Sequence, residues 1–246
     1  MKKIISTCIV LFTIAFMAGC ESAQIAFPSG SDTNDFDKKE IKGRGMFSSG
    51  SGSFTIGGEK VEWTRSSLSS SNKRKNKSLF ADEDKSTTSI RKQEMSIKTS
   101  GSDISPFSGT FNAEAEVEEE VTKKSKRSMT TSSAVMKHVL KGRIEGDNSV
   151  YELLINLVEE GQRGTLQGKN INLEIEPSNS VKGSSFGFVG MRTGFYVYDK
   201  EILIAVVDVL NNGSIYMSKT ISGEKKSVVY ALTAALLQYN DIATKR

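Results

Sequence analysis

Residues Ser227 to Tyr239 read SVVYALTAALLQY, and only Ser227, Thr233 and Gln238 in that run are clearly polar. Ala, Leu and Gln favour helix, and a helix that is apolar on every side is buried on every side. At about 13 residues it spans roughly 20 Å, too short for the ~30 Å hydrocarbon core of a bilayer. The stretch is therefore expected to be a helix over about residues 226–240 that plugs a protein core.

The wrapping around that plug is legible upstream. Phe195 to Tyr198, Ile202 to Leu210 and Ser214 to Met217 are apolar runs of strand length, the last two separated by Asn211-Asn212-Gly213, a strong hairpin signal. Ile171, Leu173 and Ile175 alternate with polar residues, as do Met136, His138, Leu140 and Ile144. Tyr151 to Val158 is apolar on both faces apart from Glu152 and Asn156, which predicts a strand covered on both sides. From Phe111 to Val121 one face carries Phe111, Ala113, Ala115, Val117 and Val121, while the other carries Asn112, Glu114, Glu116, Glu118 and Glu120. A helix would scatter those apolar positions around its circumference, so the run reads as a long strand with an acidic stripe. Gly57-Gly58-Glu59-Lys60 between Phe54-Thr55-Ile56 and Val61-Glu62-Trp63 marks a further hairpin. The expected fold class is mainly β with one C-terminal helix, a curved antiparallel sheet or barrel packed around it.

Two Ser/Lys-rich stretches, near 65–89 and 122–133, carry too little apolar surface to offset their ordering entropy and are expected to be long polar loops. Residues 20–40 contain Pro28 and Gly30 and show no apolar period, which predicts a flexible tether with a reach on the order of 25 Å. A single β-rich domain is then expected over 41–246.

The N-terminus carries the most specific motif. Met1-Lys2-Lys3 precedes an apolar run from Ile4 to Phe16 and then Met17-Ala18-Gly19-Cys20, the order of a secretory signal covering residues 1–19. Met17 to Cys20 resembles the lipobox of bacterial lipoproteins, in which the cysteine thiol takes a diacylglycerol and becomes the mature N-terminus. That resemblance implies lipid attachment at Cys20, export and anchorage in the cell envelope. Glu21, rather than Asp, after the cysteine points to the outer membrane where the organism has one. Cys8 leaves with the signal, so no second thiol remains for a disulfide, a zinc site or a redox pair.

The segments Gly194 to Lys200, Ile202 to Asp208, Ile215 to Met217 and Ala231 to Leu236, a curved sheet closing on a buried helix, resemble the tubby C-terminal-like fold of the tubby, LURP-one and phospholipid scramblase families. In those families the fold is linked to membrane lipids; no lipid-binding residue carries over to this sequence. A generic barrel or sandwich with a packed helix fits the same residues.

Catalytic chemistry finds little footing. Gly183-Ser184-Ser185-Phe186-Gly187 matches G-x-S-x-G, but no histidine follows Ser185 and the surroundings read as strand and turn. His138 is the only histidine and sits beside Met136 and Leu140 on an apolar face, where a structural role is expected. Asp32 to Asp37 begins like a calcium loop, yet Phe36 occupies a ligand position and no Gly follows; Asp82-Glu83-Asp84 lies in a polar stretch. Gly43-Arg44-Gly45 is followed by Ser48 where a dinucleotide fingerprint needs a third glycine. No catalytic residue, metal ligand or cofactor is assigned.

With Lys2 and Lys3 gone, 31 basic side chains face 29 acidic ones, so a nucleic-acid partner is not expected. The clusters Lys73-Arg74-Lys75-Asn76-Lys77 and Lys123-Lys124-Ser125-Lys126-Arg127 read as solubilising charge or as attraction for anionic lipid or envelope glycan. The expected function is a lipid-anchored, non-enzymatic binding or scaffold module at the membrane, with an envelope protein as another possible partner. Two alternatives stay open: a carrier of a lipid or other apolar ligand, which needs an apolar cavity beside the helix, and a hydrolase built on facing carboxylates.

Overall fold

The computed structural model describes residues 23–44, 50–77, 84–125, 128–146, 148–158, 162–183 and 192–239. The signal, the lipobox with Cys20, Glu21, Gly45, Ser48, Asp82, Glu83, Ser184 to Gly187, Lys126 and Arg127 lie outside the described residues.

Thirteen strands are described: β1 (Phe36–Lys42), β2 (Gly50–Ile56), β3 (Glu59–Arg65), β4 (Ser69–Lys77), β5 (Asp84–Ser100), β6 (Phe107–Ser125), β7 (Ser128–Glu145), β8 (Val150–Asn156), β9 (Gly164–Gly168), β10 (Asn172–Ser178), β11 (Gly194–Asp199), β12 (Ile202–Asp208) and β13 (Ser214–Ser218). Helix α1 (Gly223–Gln238) follows. The strands run in the order β3-β2-β1-β13-β12-β11-β10-β9-β8-β7-β6-β5, and β3 pairs with β5 to close a twelve-stranded antiparallel barrel. Closure removes the free edges an open sheet would expose.

Helix α1 lies inside this barrel. Every residue from Ser227 to Gln238 is buried, as its uniformly apolar circumference requires. It packs into one continuous core with inward residues of most strands, among them Ile56, Val61, Phe111, Leu140, Ile155, Leu173 and Val207. Its start is held by the Tyr151 hydroxyl, which donates to Glu224 Oε1 at 2.6 Å, and by Ser105 N donating to Ser227 Oγ at 2.9 Å. At its end Arg65 Nη1 donates to the Gln238 carbonyl at 2.9 Å, placing a cation where the helix dipole is negative. Glycines make room for the large inward rings: a Cβ on Gly142, directly opposite Phe111, would stand 2.1 Å from Phe111 Cδ1.

Three expectations are corrected. The polar stretches near 65–89 and 122–133 are strand wherever they are described beyond Leu68, forming β4 and the distal parts of β5, β6 and β7. They pair as hairpin arms whose ladder satisfies the backbone, and their Ser, Thr and Lys composition carries no apolar period that would announce a strand. The tether expected at 20–40 is folded from Ala23 onward: Ile25 is buried and bridged to Val181, and β1 starts at Phe36 rather than near Ile41. Strand β8 alternates buried and exposed residues instead of being covered on both sides, because only its inner face meets the core; Leu154 on the outer face is 50% exposed.

The long strands make the fold asymmetric. One edge of β5 is shared by two strands: Met95–Ser100 pairs with β3 and closes the barrel, while Asp84–Lys92 pairs with β4. Ser66 marks the handover, its N–H donating to the Glu94 carbonyl at 2.8 Å and its hydroxyl accepting from Glu94 N at 2.9 Å. Beyond that point β4 and the distal parts of β5, β6 and β7 leave the rim as a four-stranded blade. Nine residues of β5 give it a length of about 30 Å.

Candidate functional site

Antiparallel order fixes which features share a rim. The end of β12, the start of β13, the ends of β1 and β3 and the root of the blade all lie at one end of the barrel. The last turn of α1 points the same way, with Gln238 against Arg65.

Residues 23–27 form a strap that descends from this rim over the outer face of β11 to β13. Asn211 Nδ2 donates to the Ala23 carbonyl at 2.9 Å, Ile25 N to Asp208 Oδ2 at 3.2 Å, and the Tyr196 hydroxyl to the Ala26 carbonyl at 2.7 Å. Ile25 joins Tyr196, Tyr198 and Val206 in a second apolar cluster outside the barrel, and Phe27 meets Phe36 and Tyr216 edge-on at 5.5 and 5.1 Å.

Beside the strap a cleft of about 350 Å³ opens between Gln24, Lys38, Glu40, Lys42, Asp208 and the Asn211–Ser214 turn. Asp208 forms its wall. Burial pushes the Asp208 carboxyl above the usual carboxylate range; donation from Leu210 N and Ile25 N and the charges of Lys38 and Arg44 pull the other way. Arg44 donates to the Val209 carbonyl at 3.2 Å, and burial together with neighbouring Arg65 brings its guanidinium down to about 10, still charged at neutral pH. Each Asp208 oxygen already accepts a backbone N–H, and Glu40 is an exposed side chain near Lys42, so the two carboxylates of the cleft hold structural partners.

The remaining sequence candidates fall elsewhere. His138 is buried on the inner face of β7 with its Nε2 against the Tyr239 hydroxyl, tying the end of α1 to the barrel wall. The Asp32 side chain accepts from Asn34 N at 2.9 Å and caps a short 3-10 turn. Among the described residues no group of three or more His, Cys, Asp or Glu could hold a metal, and no helix is long and apolar enough to cross a membrane. Arg163 gathers Glu174, Glu176 and Glu201 at 2.6, 3.1 and 2.9 Å over the Tyr198 ring, a clamp on the outer surface of the barrel.

The blade organises its charge in rows. Glu114 on β6 pairs with Lys92 on β5 at 3.3 Å and with Lys137 on β7 at 2.7 Å; the lysines hold its carboxyl below the usual range, and Glu114 holds Lys137 above its own. Glu118 accepts from the Ser86 hydroxyl at 2.7 Å, and Glu119 meets Arg91 at 3.9 Å. Sequence reasoning missed Asp208, Arg44, Arg65 and the strap. The one available signal was Asp208 itself, the sole acid inside the apolar run Ile202 to Leu210.

Compared with protein-family models, with curated proteins and with solved structures, the chain matches none.

Proposed function

We propose that this chain is a lipid-anchored cell-envelope protein whose barrel serves as a non-enzymatic binding or scaffold module at the membrane. The observation that carries the reading is the position of the chain's entry. Ala23 is fixed to the rim that bears the cleft and the blade, only three residues after Cys20. An acyl group at Cys20 would therefore sit within about 11 Å of chain from that rim and present it to the bilayer. The short leash replaces the long tether that the sequence suggests.

The helix-filled interior favours binding on the outside of the barrel over carriage within it, since α1 occupies the space an apolar ligand would need. The tubby-like resemblance belongs to the same proposal, because a sheet wrapped around an apolar C-terminal helix is the architecture it implies. The test is metabolic labelling with radioactive palmitate in a bacterial host, followed by membrane fractionation. Labelled protein in the membrane fraction, with an unlabelled and released Cys20→Ser form, is the expected result. Wild-type protein that stays unlabelled and soluble removes the reading.

A further inference from the structure

The two basic segments lie 46 or more residues apart in sequence, yet the blade brings them to one end of one small sheet. Lys73, Arg74, Lys75 and Lys77 occupy the distal half of β4, opposite Thr88, Thr87, Ser86 and Asp84 of β5. Lys85 on β5 stands between Asn76 and Val121, and Lys123 and Lys124 end β6 one strand further on. Nearer the barrel the acidic row of β6 has partners of its own: Glu114 is held by Lys92 and Lys137, Glu119 lies 3.9 Å from Arg91, and Glu118 accepts from the Ser86 hydroxyl.

The blade also has a fixed relation to the strap. Both belong to the same rim, but β12 and β13, under the strap, lie four to six strands around the twelve-stranded ring from β5 and β6. The leash from Cys20 to Ala23 and the ~30 Å blade thus define two separated points at one end of the molecule.

We propose that the distal half of the blade is a second membrane contact that recognises anionic lipid headgroups, so that the acyl chain and the basic sheet end together fix the barrel's orientation on the bilayer. The inference rests on the lipid-anchored reading for its setting. A diacylglycerol at Cys20 holds the chain at the bilayer but leaves its orientation free, and each Lys or Arg near an anionic surface adds about 1 kcal/mol toward fixing it.

The test uses the exported form from residue 20 onward carrying Cys20→Ser, so that no acyl group contributes and the palmitate experiment is independent of the outcome. Sedimentation with vesicles of phosphatidylglycerol and phosphatidylethanolamine is compared with vesicles of phosphatidylcholine alone. Binding is expected only to the anionic vesicles and is lost at 1 M salt, where the screening length falls to about 3 Å. The fourfold variant Lys73→Gln, Arg74→Gln, Lys75→Gln, Lys77→Gln should bind at least about a hundredfold and up to about a thousandfold more weakly. A fourfold variant of equal charge on the barrel, Lys98→Gln, Lys141→Gln, Lys169→Gln, Lys200→Gln, should bind like the parent, with circular dichroism confirming that both variants fold. No binding to anionic vesicles, or equal losses in the two variants, overturns the proposal.

Discussion

Strands β5, β6 and β7 pass through two environments, and the contrast between their halves separates what makes the barrel stable from what shapes the blade. In the barrel half they turn Ile97, Phe111, Ala113, Leu140 and Ile144 onto α1. Just beyond the handover Ala115 and Val117 still reach the core, and further out the same strands carry Ser, Thr, Lys and Glu, joined by backbone pairing and, at the root, by ion pairs such as Glu114 with Lys92 and Lys137. Burial supplies most of a domain's stabilisation, whereas exposed pairs contribute about 0–1 kcal/mol each. The blade is therefore the region expected to open first, with the barrel as the cooperative unit beneath it.

The sharpest way to break this comparison is an aspartate in each region. Leu232 lies at the centre of α1 and is fully buried. An unpaired carboxylate there costs several kcal/mol, comparable to a typical domain's net stability of roughly 5–15 kcal/mol, so Leu232→Asp should abolish cooperative urea unfolding. Met136→Asp, at a blade position 59% exposed, should shift the midpoint by no more than about 0.5 kcal/mol. Similar losses from both would mean that the blade is part of the core.

A smaller effect sharpens the boundary. Gly142→Ala sets a methyl group against the Phe111 ring inside the barrel and should cost about 1–3 kcal/mol in chemical denaturation. A neutral result would show that the ring has room to move.

The smallest effect is a difference in sign with pH. Asp208 is raised above its ordinary value by burial, so between its unfolded and folded values the native state holds the extra proton, and its contribution to stability improves as pH falls through that window. Glu114 is lowered by hydrogen bonds from Lys137 and then Lys92, so its contribution is present above the unfolded value and is lost as pH falls through the folded one. For so exposed a carboxylate the loss is a few tenths of a kcal/mol, about what surface pairs contribute. Hydrogen-exchange protection factors at neutral pH and near pH 4 should drop in the blade around Glu114 while the strap amides of Ile25 and Ala26 keep theirs. The reverse order would contradict the assignment.

The same contrast explains what could be read from the sequence. Helix α1 and the barrel strands announce themselves because an inward face needs apolar residues at fixed spacing, as in Phe111, Ala113 and Ala115 or Leu173 and Ile175. Of the blade only the β6 arm, up to Val121, was legible, from its alternation; β4 and the outer parts of β5 and β7 were not, because pairing without burial imposes no such spacing, and Ser69 to Lys77 has the composition of a solvated loop. The strap escaped for a related reason: Ile25 and Phe27 are two apolar residues in a polar stretch, and their partners Tyr196, Val206 and Tyr216 lie on outer faces some 170 or more positions away. Cleft residues Lys38, Lys42 and Asp208 are joined only by the register of β1, β13 and β12, which no local pattern encodes.

The shared edge of β5 has a consequence for how such a molecule can vary. Because β3 releases that edge at Ser66 and β4 takes it up from Ser69, ring closure is complete before the blade begins. Residues added in pairs to each distal arm would keep every side chain on its own face and every barrel contact in register. The projection can therefore lengthen or shorten in two-residue steps over generations, a dimension of the protein free to drift while the ring it grows from stays the same.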